Sequence, residues 1–234
     1  MKLKDSVVLI TGGTLGIGKA TAKLLVQQGA KVAITGRSQE RLIAAAEEIG
    51  AFGIVADVSS PADVDRTYKE VILKFGKLDA LVNNAAYGGR VPLIEVDPGE
   101  FQAMWQTNVL GATMMAKEAA KIFIKQNSHG NIVNIASTAG LRGFEGGSMY
   151  ASSKFALRGL TECWRAELRK HNIRVILINP SEVITAFGSA DGVERQEEPS
   201  KLTAVEIAHA IKASLEMDDR GFIAELTVFA TNPV

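Results

Sequence analysis

The stretch SVVLITGGTLGIG, residues 6–18, joins a short apolar run to a glycine-rich turn. Its β-branched and aliphatic residues at 7–10 predict a buried strand. Gly12, Gly16 and Gly18 then allow the backbone to turn sharply before a helix begins. Such a turn leaves free N–H groups at a helix N-terminus, where the helix dipole favours negative charge. The stretch therefore predicts a phosphate-binding turn at the start of a dinucleotide-binding fold.

The alternation of strand and helix continues along the chain. Further β-branched apolar runs occur at 31–35, 52–56, 79–82, 131–136, 173–178 and 222–228, with helical spacing between them. Strands that are apolar on both faces and alternate with helices predict a parallel sheet covered on both sides. Right-handed crossovers make such a sheet doubly wound. We therefore predict an α/β protein with a Rossmann-type, seven-stranded parallel sheet in a single domain, residues 1–234.

Two Pro-containing pairs and one polar segment mark the ends of elements. Ser60-Pro61 and Asp97-Pro98 each predict a helix start, and the second precedes a long helical stretch at 99–126. The segment AFGSADGVERQEEPS, residues 186–200, is polar and contains two glycines and a proline. It predicts a mobile substrate loop, although a plain surface loop fits the composition equally well.

The composition excludes several classes of function. Acidic and basic residues balance at 26 each, so no excess of positive charge favours a nucleic acid or an acidic membrane as partner. Cys163 is the only cysteine, which excludes an intrachain disulfide and fits a reducing compartment. No apolar run reaches the roughly 18 residues of a membrane span. We therefore expect a cytoplasmic protein. The three histidines, His129, His171 and His209, are scattered along the chain and give no reason to expect a metal site.

Several motifs accompany the glycine turn. Its spacing, TG-x3-G-x-G at 11–18, differs from the common G-x-G-x-x-G pattern. It occurs together with NNAA at 83–86, with Ser137, and with Tyr150 four residues before Lys154. Jointly these motifs resemble the short-chain dehydrogenase/reductase family over essentially the whole chain. The resemblance implies an oxidoreductase that uses a nicotinamide cofactor to interconvert a carbonyl and a hydroxyl group.

The resemblance also implies a set of cofactor-binding positions. They are Gly12, Thr14, Leu15, Gly16, Ile17 and Gly18 in the turn, Asp57 and Val58 at the adenine, Asn84, Ala85 and Ala86 after the fourth strand, Tyr150 and Lys154 in the active-site helix, and Pro180, Val183 and Thr185 at the nicotinamide. Two positions depart from the family pattern: Ala86 and Ser181 stand where glycine is usual. Both departures concern the nicotinamide half of the cofactor more than the pyrophosphate.

The spacing of Tyr150 and Lys154 places both side chains on one face of a helix. Alone, such a pair is common on exposed helices. A tyrosine has an ordinary pKa near 10, and a cation within about 4–6 Å lowers it by 1–3 units, which makes the phenol a better acid. In the roles that the resemblance implies, Ser137 orients the substrate oxygen for Tyr150. Lys154 also holds the nicotinamide ribose, and Asn108 positions a water that passes protons to Lys154.

The residues after the second strand predict which cofactor is used. Family members that prefer NAD carry an acidic residue where Gly36 stands, and that residue binds the ribose 2′-hydroxyl. Here no carboxylate occupies the position, and Arg37 and Ser38 follow. A guanidinium offers a fork of donors that suits a 2′-phosphate, so we predict NADP(H). The alternative is that Arg37 is a solvated loop charge near Glu40.

The predicted function is NADPH-dependent reduction of a small-molecule carbonyl, with Tyr150 as the proton donor. A 3-oxoacyl thioester is the first hypothesis for the substrate, and a sugar or another alcohol oxidised in the reverse direction is an alternative. A further alternative is a non-catalytic NADP-binding sensor or scaffold.

Three lysines of the long helical stretch form either a solvated face or a docking patch for an acidic carrier protein: Lys117, Lys121 and Lys125. The pocket wall is predicted from Tyr87, Arg142, Phe144, Met149 and Phe187. A homodimer or homotetramer is expected to form through 99–126 and 149–171.

Overall fold

Seven parallel strands form one sheet in the computed structural model, which describes residues 1–187, 196, 198 and 200–232. The strand order is β3-β2-β1-β4-β5-β6-β7. The strands are β1 (Val7–Ile10), β2 (Lys31–Gly36), β3 (Phe52–Val55), β4 (Ala80–Asn83), β5 (Gly130–Ile135), β6 (Ile173–Pro180) and β7 (Glu225–Val228). All neighbouring strands are parallel. The doubly wound α/β fold predicted from the sequence is confirmed.

Helices connect the strands and cover both faces of the sheet. They are α1 (Gly16–Gln27), α2 (Gln39–Ile49), α3 (Pro61–Phe75), α4 (Pro98–Trp105), α5 (Ala112–Gln126), α6 (Ser148–Leu168) and α7 (Ala204–Glu216). One face packs against α1, α2 and α7, and the other against α3, α5 and α6. In β1 the side chains alternate between the faces: Val8 and Ile10 join the first cluster, Val7 and Leu9 the second. All four are fully buried, as a strand with helices on both sides requires.

The predicted helix starts are confirmed by their caps. The Ser60 hydroxyl accepts a hydrogen bond from the backbone N–H of Asp63, and Pro61 lies in the first turn of α3. The Asp97 carboxylate accepts one from Glu100 N–H at 2.9 Å, just before α4. Each cap satisfies a backbone donor that has no partner within the helix.

The predicted stretch 99–126 is not one regular helix. A π-helical segment, Gln106–Gly111, separates α4 from α5. A Cβ on Gly111 would lie 2.9 Å from Val58 Cγ2, so the absence of a side chain lets this segment approach the loop after β3. The extra residue in the π turn places Asn108 in the interior, where it is 1% exposed. Apolar periodicity alone does not predict this insertion.

The predicted loop at 186–200 falls mainly outside the described residues. Its first residues, Ala186 and Phe187, are described, and Phe187 N–H donates a hydrogen bond to the Thr185 hydroxyl at 3.2 Å. The predicted mobility of the segment therefore stays a prediction. Across the described part of the chain, no helix has both the length and the apolar character that crossing a membrane demands.

Candidate active site

A cavity of about 450 Å³ lies at the carboxyl ends of the strands, beside the point where the strand order reverses between β1 and β4. This is where doubly wound sheets bind their ligands. Every cofactor-binding residue predicted from the sequence lines it except Gly18. Ser137 lines it too, whereas Asn108 does not. The structure thus brings together predicted residues from seven separate parts of the chain.

The glycine turn has the shape that a phosphate cradle needs. Gly12 and Gly16 have φ angles of +65° and +52°, a region that residues with a side chain rarely adopt. Gly18 lies outside the cavity because its role is different. A Cβ on Gly18 would collide with the carbonyl oxygen of Gly12, so its glycine allows α1 to start directly against the turn. No acidic residue occurs in the first turn of α1 to repel an anion.

The loop after β4 is fixed to the glycine turn by hydrogen bonds. The Asn84 side-chain amide donates to the carbonyl oxygens of Thr11 and Gly12, each at 3.0 Å. In return the Thr11 hydroxyl accepts hydrogen bonds from the backbone N–H groups of Asn84 and Ala85, also at 3.0 Å. These contacts set the width of the cavity before any ligand enters, which lowers the ordering cost of binding.

Ser137, Tyr150 and Lys154 meet at one end of the cavity. Ser137 precedes a short 3₁₀ turn after β5, and its hydroxyl accepts a hydrogen bond from Ala139 N–H at 3.1 Å. Tyr150 and Lys154 lie one turn apart in α6, with Lys154 Nζ at 5.6 Å from the centre of the tyrosine ring. Lys154 is only 3% exposed, and its ammonium group donates to the carbonyl oxygen of Ile135 at 2.9 Å.

The pKa values of this pair differ from the sequence prediction. Burial raises the pKa of Tyr150 to about 12, while a hydrogen bond with Ser137 acts in the opposite direction. Burial lowers the pKa of Lys154 from 10.5 to about 8. The prediction that Lys154 gives Tyr150 a lowered pKa is therefore wrong for the chain by itself. Burial disfavours the charged form of each group, and it is the largest cause of both pKa shifts.

Asn108 lies in the protein interior next to the loop after β4. Its side-chain amide donates to the Tyr87 carbonyl at 2.9 Å and to the Ser153 hydroxyl at 3.1 Å. Its oxygen accepts a hydrogen bond from Tyr87 N–H at 3.1 Å. Both amide hydrogens are therefore engaged inside the protein. Asn108 braces the loop after β4 against α6, and its proposed part in proton transfer stays a prediction.

The opposite end of the cavity is basic. Arg37, Ser38 and Arg41 line it after the end of β2. Ser38 caps α2 by accepting a hydrogen bond from Arg41 N–H at 3.4 Å, so Arg37 lies just before the cap and Arg41 in the first turn of the helix. Arg41 was not predicted as a cavity residue, although it lies only four residues after Arg37. Five further residues of the wall were not predicted, because their types do not distinguish a cavity wall from a core: Thr35, Ala56, Thr107, Ile135 and Ala136.

The predicted pocket wall is only partly present. Tyr87 and Phe187 line the cavity, and the ring centres of Phe187 and Tyr150 are 5.5 Å apart. Met149 is 5% exposed and belongs to the protein interior instead. Arg142 and Phe144 are exposed and do not line the cavity. The prediction of a pocket wall is therefore wrong for Arg142, Phe144 and Met149, because no residue between Ser137 and Tyr150 lines the cavity.

A row of lysines lies on the exposed side of α5. Lys117, Lys121 and Lys125 are all exposed on α5, and Lys121 pairs with Glu118 at 2.8 Å. That arrangement fits a solvated face, and carrier docking there stays a hypothesis. Within residues 1–187 and 200–232, no cluster of three or more His, Cys, Asp or Glu side chains could hold a metal ion.

The fold and the cavity define a Rossmann-type nucleotide-binding protein with a Ser-Tyr-Lys group at one end of its site. The family model for short chain dehydrogenase matches residues 6–196. The chain belongs to the short-chain dehydrogenase family of oxidoreductases.

Individual relatives agree with this membership. The chain is 36% identical over 193 residues to the uncharacterized oxidoreductase YxnA of Bacillus subtilis, a match that covers 80% of this chain and spans only 54% of that longer protein. An alcohol dehydrogenase of Thermococcus sibiricus, complexed with 5-hydroxy-NADP, is 28% identical with a TM-score of 0.89 and 97% coverage of both chains. A 3-ketoacyl-(acyl-carrier-protein) reductase of Brucella melitensis, complexed with NADH, has the same identity and TM-score, covering 99% and 100%.

Proposed function

We propose that this protein is an NADPH-dependent reductase that converts a carbonyl group into a hydroxyl group. One observation carries the proposal: a single cavity has Ser137, Tyr150 and Lys154 at one end and two arginines at the other. The first end suits proton delivery to an oxygen atom, and the second suits a phosphate. The glycine turn between them suits a pyrophosphate.

Tyr150 is the proton donor in the proposed mechanism. A pKa raised to about 12 keeps its phenol protonated throughout the neutral range, and this is the form that carbonyl reduction needs. The Ser137 hydroxyl, already hydrogen-bonded with Tyr150, orients the substrate oxygen toward the phenol. When bound, the nicotinamide supplies hydride to the carbonyl carbon. The proton that Tyr150 gives up then completes the hydroxyl group.

Lys154 has two proposed roles. Its ammonium group stabilises negative charge on the Tyr150 oxygen as the proton leaves. It is also placed to donate hydrogen bonds to a ribose hydroxyl, since it lines the cavity between Tyr150 and the end of β5. With a pKa of about 8 it is mainly protonated at neutral pH, so it can serve as the proton source that restores Tyr150.

Selection of NADP(H) rests on the basic end of the cavity. Arg37 and Arg41 line this end, and the first residue after β2, Arg37, carries a guanidinium and not a carboxylate. The Thermococcus relative was solved with an NADP derivative, whereas the Brucella reductase was solved with NADH. Members of this fold thus accept either cofactor, and the local charge decides.

Arg37→Ala is expected to weaken NADPH binding by about 10- to 150-fold, because one charge-assisted contact contributes about 1.5–3 kcal/mol. NADH has no 2′-phosphate, so its affinity should hardly change. Fluorescence titration of both cofactors measures the two dissociation constants. Arg169→Ala is the matched control, since Arg169 is exposed at the opposite edge of the sheet. Equal losses for NADPH and NADH would contradict a 2′-phosphate contact.

We propose a 3-oxoacyl thioester as the substrate, supported by the similarity to the 3-ketoacyl-(acyl-carrier-protein) reductase of Brucella melitensis. A panel of 3-oxoacyl thioesters, sugars, cyclic ketones and small aldehydes, each incubated with NADPH, tests it by loss of the NADPH absorbance. We expect the thioesters to give the highest kcat/KM. Faster turnover of sugars would favour the alternative of a sugar dehydrogenase. Tight NADPH binding without turnover of any compound would favour a sensor or scaffold.

We further propose that the protein forms a homodimer or homotetramer through α5 and α6. Leu110 beside α5, Ile124 in α5 and Phe155 in α6 are 43–45% exposed, an apolar load that a second copy can cover. Sedimentation at micromolar concentration is expected to show a mass of two or four chains. Phe155→Glu should shift it toward the monomer, and a monomeric wild type would contradict the proposal.

A further inference from the structure

Gly36, the last residue of β2, is a glycine for reasons of space. Its φ angle is not in the left-handed region, so the backbone there can accept a side chain. A Cβ added to Gly36, however, would lie 2.5 Å from Cγ2 of Thr14. Real Cβ atoms do not approach other carbons so closely. Any residue larger than glycine at this position must displace Thr14.

The obstacle is a single methyl group. Beyond Thr14 Cγ2, the atoms nearest to the added Cβ are Leu42 Cδ1 and Thr14 Cβ, both at 3.7 Å. These are ordinary van der Waals distances. A serine in place of threonine would lack Cγ2 and would leave room for a side chain at position 36.

Thr14 cannot move away without disturbing the cofactor turn. The preceding residue, Gly13, donates its backbone N–H to the Thr35 carbonyl at 2.9 Å, and a Cβ on Gly13 would lie 2.5 Å from Ile34 Cβ. The turn is therefore packed directly on β2. Rotation of the Thr14 side chain could also relieve the clash, but β-branched side chains are restricted at χ1, so this rotation is unfavourable.

From this packing we propose that Thr14 is a cofactor-specificity residue. Its methyl group closes the position from which a carboxylate could bind the ribose 2′-hydroxyl of NAD(H). Arg37 and Thr14 then both favour NADP(H) over NAD(H). Arg37 attracts the 2′-phosphate, and Thr14 leaves no room at position 36 for an acidic residue that would repel this phosphate. This inference rests on the proposed use of NADP(H), but the steric contact can be tested without any cofactor.

The steric part is tested by the melting temperature of the protein without added cofactor. Glycine-to-alanine changes at unstrained positions normally raise stability, because alanine has less freedom in the unfolded chain. We expect Gly36→Ala to lower the melting temperature in the wild-type background and to raise it in the Thr14→Ser background. Thr14→Val, which keeps the branched methyl group, is the control and should leave Gly36→Ala harmful. The proposal is overturned if Gly36→Ala raises the melting temperature with Thr14 present.

The specificity part is tested by cofactor titration of Gly36→Asp in the same backgrounds. Gly36→Asp alone should weaken binding of both NADH and NADPH, because the turn is displaced. Combined with Thr14→Ser, it should bind NADH about tenfold more tightly than Gly36→Asp alone, through the new charged hydrogen bond. Equal NADH affinity in the two backgrounds would overturn the role of Thr14. A wild type that already prefers NADH would instead refute NADP(H) use, and the melting experiment would still decide the packing.

Discussion

Replacement of Tyr150 by phenylalanine is expected to lower kcat by about 10²- to 10⁴-fold, the range that a positioned general acid contributes. The ring of Tyr150 packs against Gly88, where an added Cβ would collide with it, and stands 5.5 Å from the ring of Phe187. Phenylalanine keeps these contacts and removes only the hydroxyl group. Cofactor affinity should therefore change by less than about tenfold, since at most one hydrogen bond is lost.

Tyr68→Phe is the matched control for this change. Tyr68 is 5% exposed between α3 and α5, far from the cavity, and its hydroxyl donates to the Met115 carbonyl at 2.5 Å. Its removal breaks one buried hydrogen bond and should cost about 0.5–1.5 kcal/mol of unfolding free energy, because the Met115 carbonyl keeps its backbone partner within α5. Turnover should stay at the wild-type level. Tyr150→Phe with wild-type kcat would contradict the proton-donor role.

Replacement of Lys154 by methionine is expected to affect both turnover and cofactor binding. Loss of the ammonium group removes the positive charge 5.6 Å from the Tyr150 ring, so kcat should fall by about 10²-fold or more. Loss of its hydrogen bonds should weaken NADPH binding by about tenfold. Lys125→Met, on the exposed face of α5, should change neither. Normal cofactor affinity in Lys154→Met would contradict a ribose contact.

The same variant should have a distinct dependence of stability on pH. The pKa of Lys154 is about 8 in the folded chain and 10.5 without burial, so the unfolded chain binds more protons between these values. Wild-type stability therefore gains from this residue as pH rises through the window, and Lys154→Met has no such gain. Relative to wild type, the variant should lose about 2 kcal/mol between about pH 7 and pH 9.5. Denaturant unfolding at the two pH values measures this difference.

The fold could be predicted because its signals are local and repeated. The apolar runs correspond to β1 to β7, and proline after a capping residue marked α3 and α4. The π-helical segment at Gln106–Gly111 was missed because it depends on packing between Gly111 and Val58, which are distant in sequence. Periodicity reports which residues are apolar, and it does not report one extra residue in a turn.

The residues that line the site could be predicted from the sequence better than the pKa values of its side chains. Glycine spacing and the Tyr150–Lys154 pair identified the cavity wall, since both are fixed by local backbone geometry. The direction of the tyrosine pKa was missed because spacing shows the neighbouring charge and does not show the burial of both groups. The contact between Thr14 and Gly36 was also not predicted, because it depends on how the glycine turn packs against the end of β2, and residue spacing does not show packing.

Transfer of deuterium tests the central claim most directly. The protein is incubated with NADPH that carries deuterium at both hydrogen positions of the nicotinamide C4, so that transfer from either face is detected. The second reactant is the carbonyl compound of the panel that is consumed fastest, and the product is analysed by mass spectrometry. We predict an alcohol with deuterium on the former carbonyl carbon, formed by the wild type and at a rate lower by about 10²-fold or more with Tyr150→Phe. Binding of NADPH without deuterium in any product across 3-oxoacyl thioesters, sugars, ketones and aldehydes would contradict the claim that this chain is a carbonyl reductase.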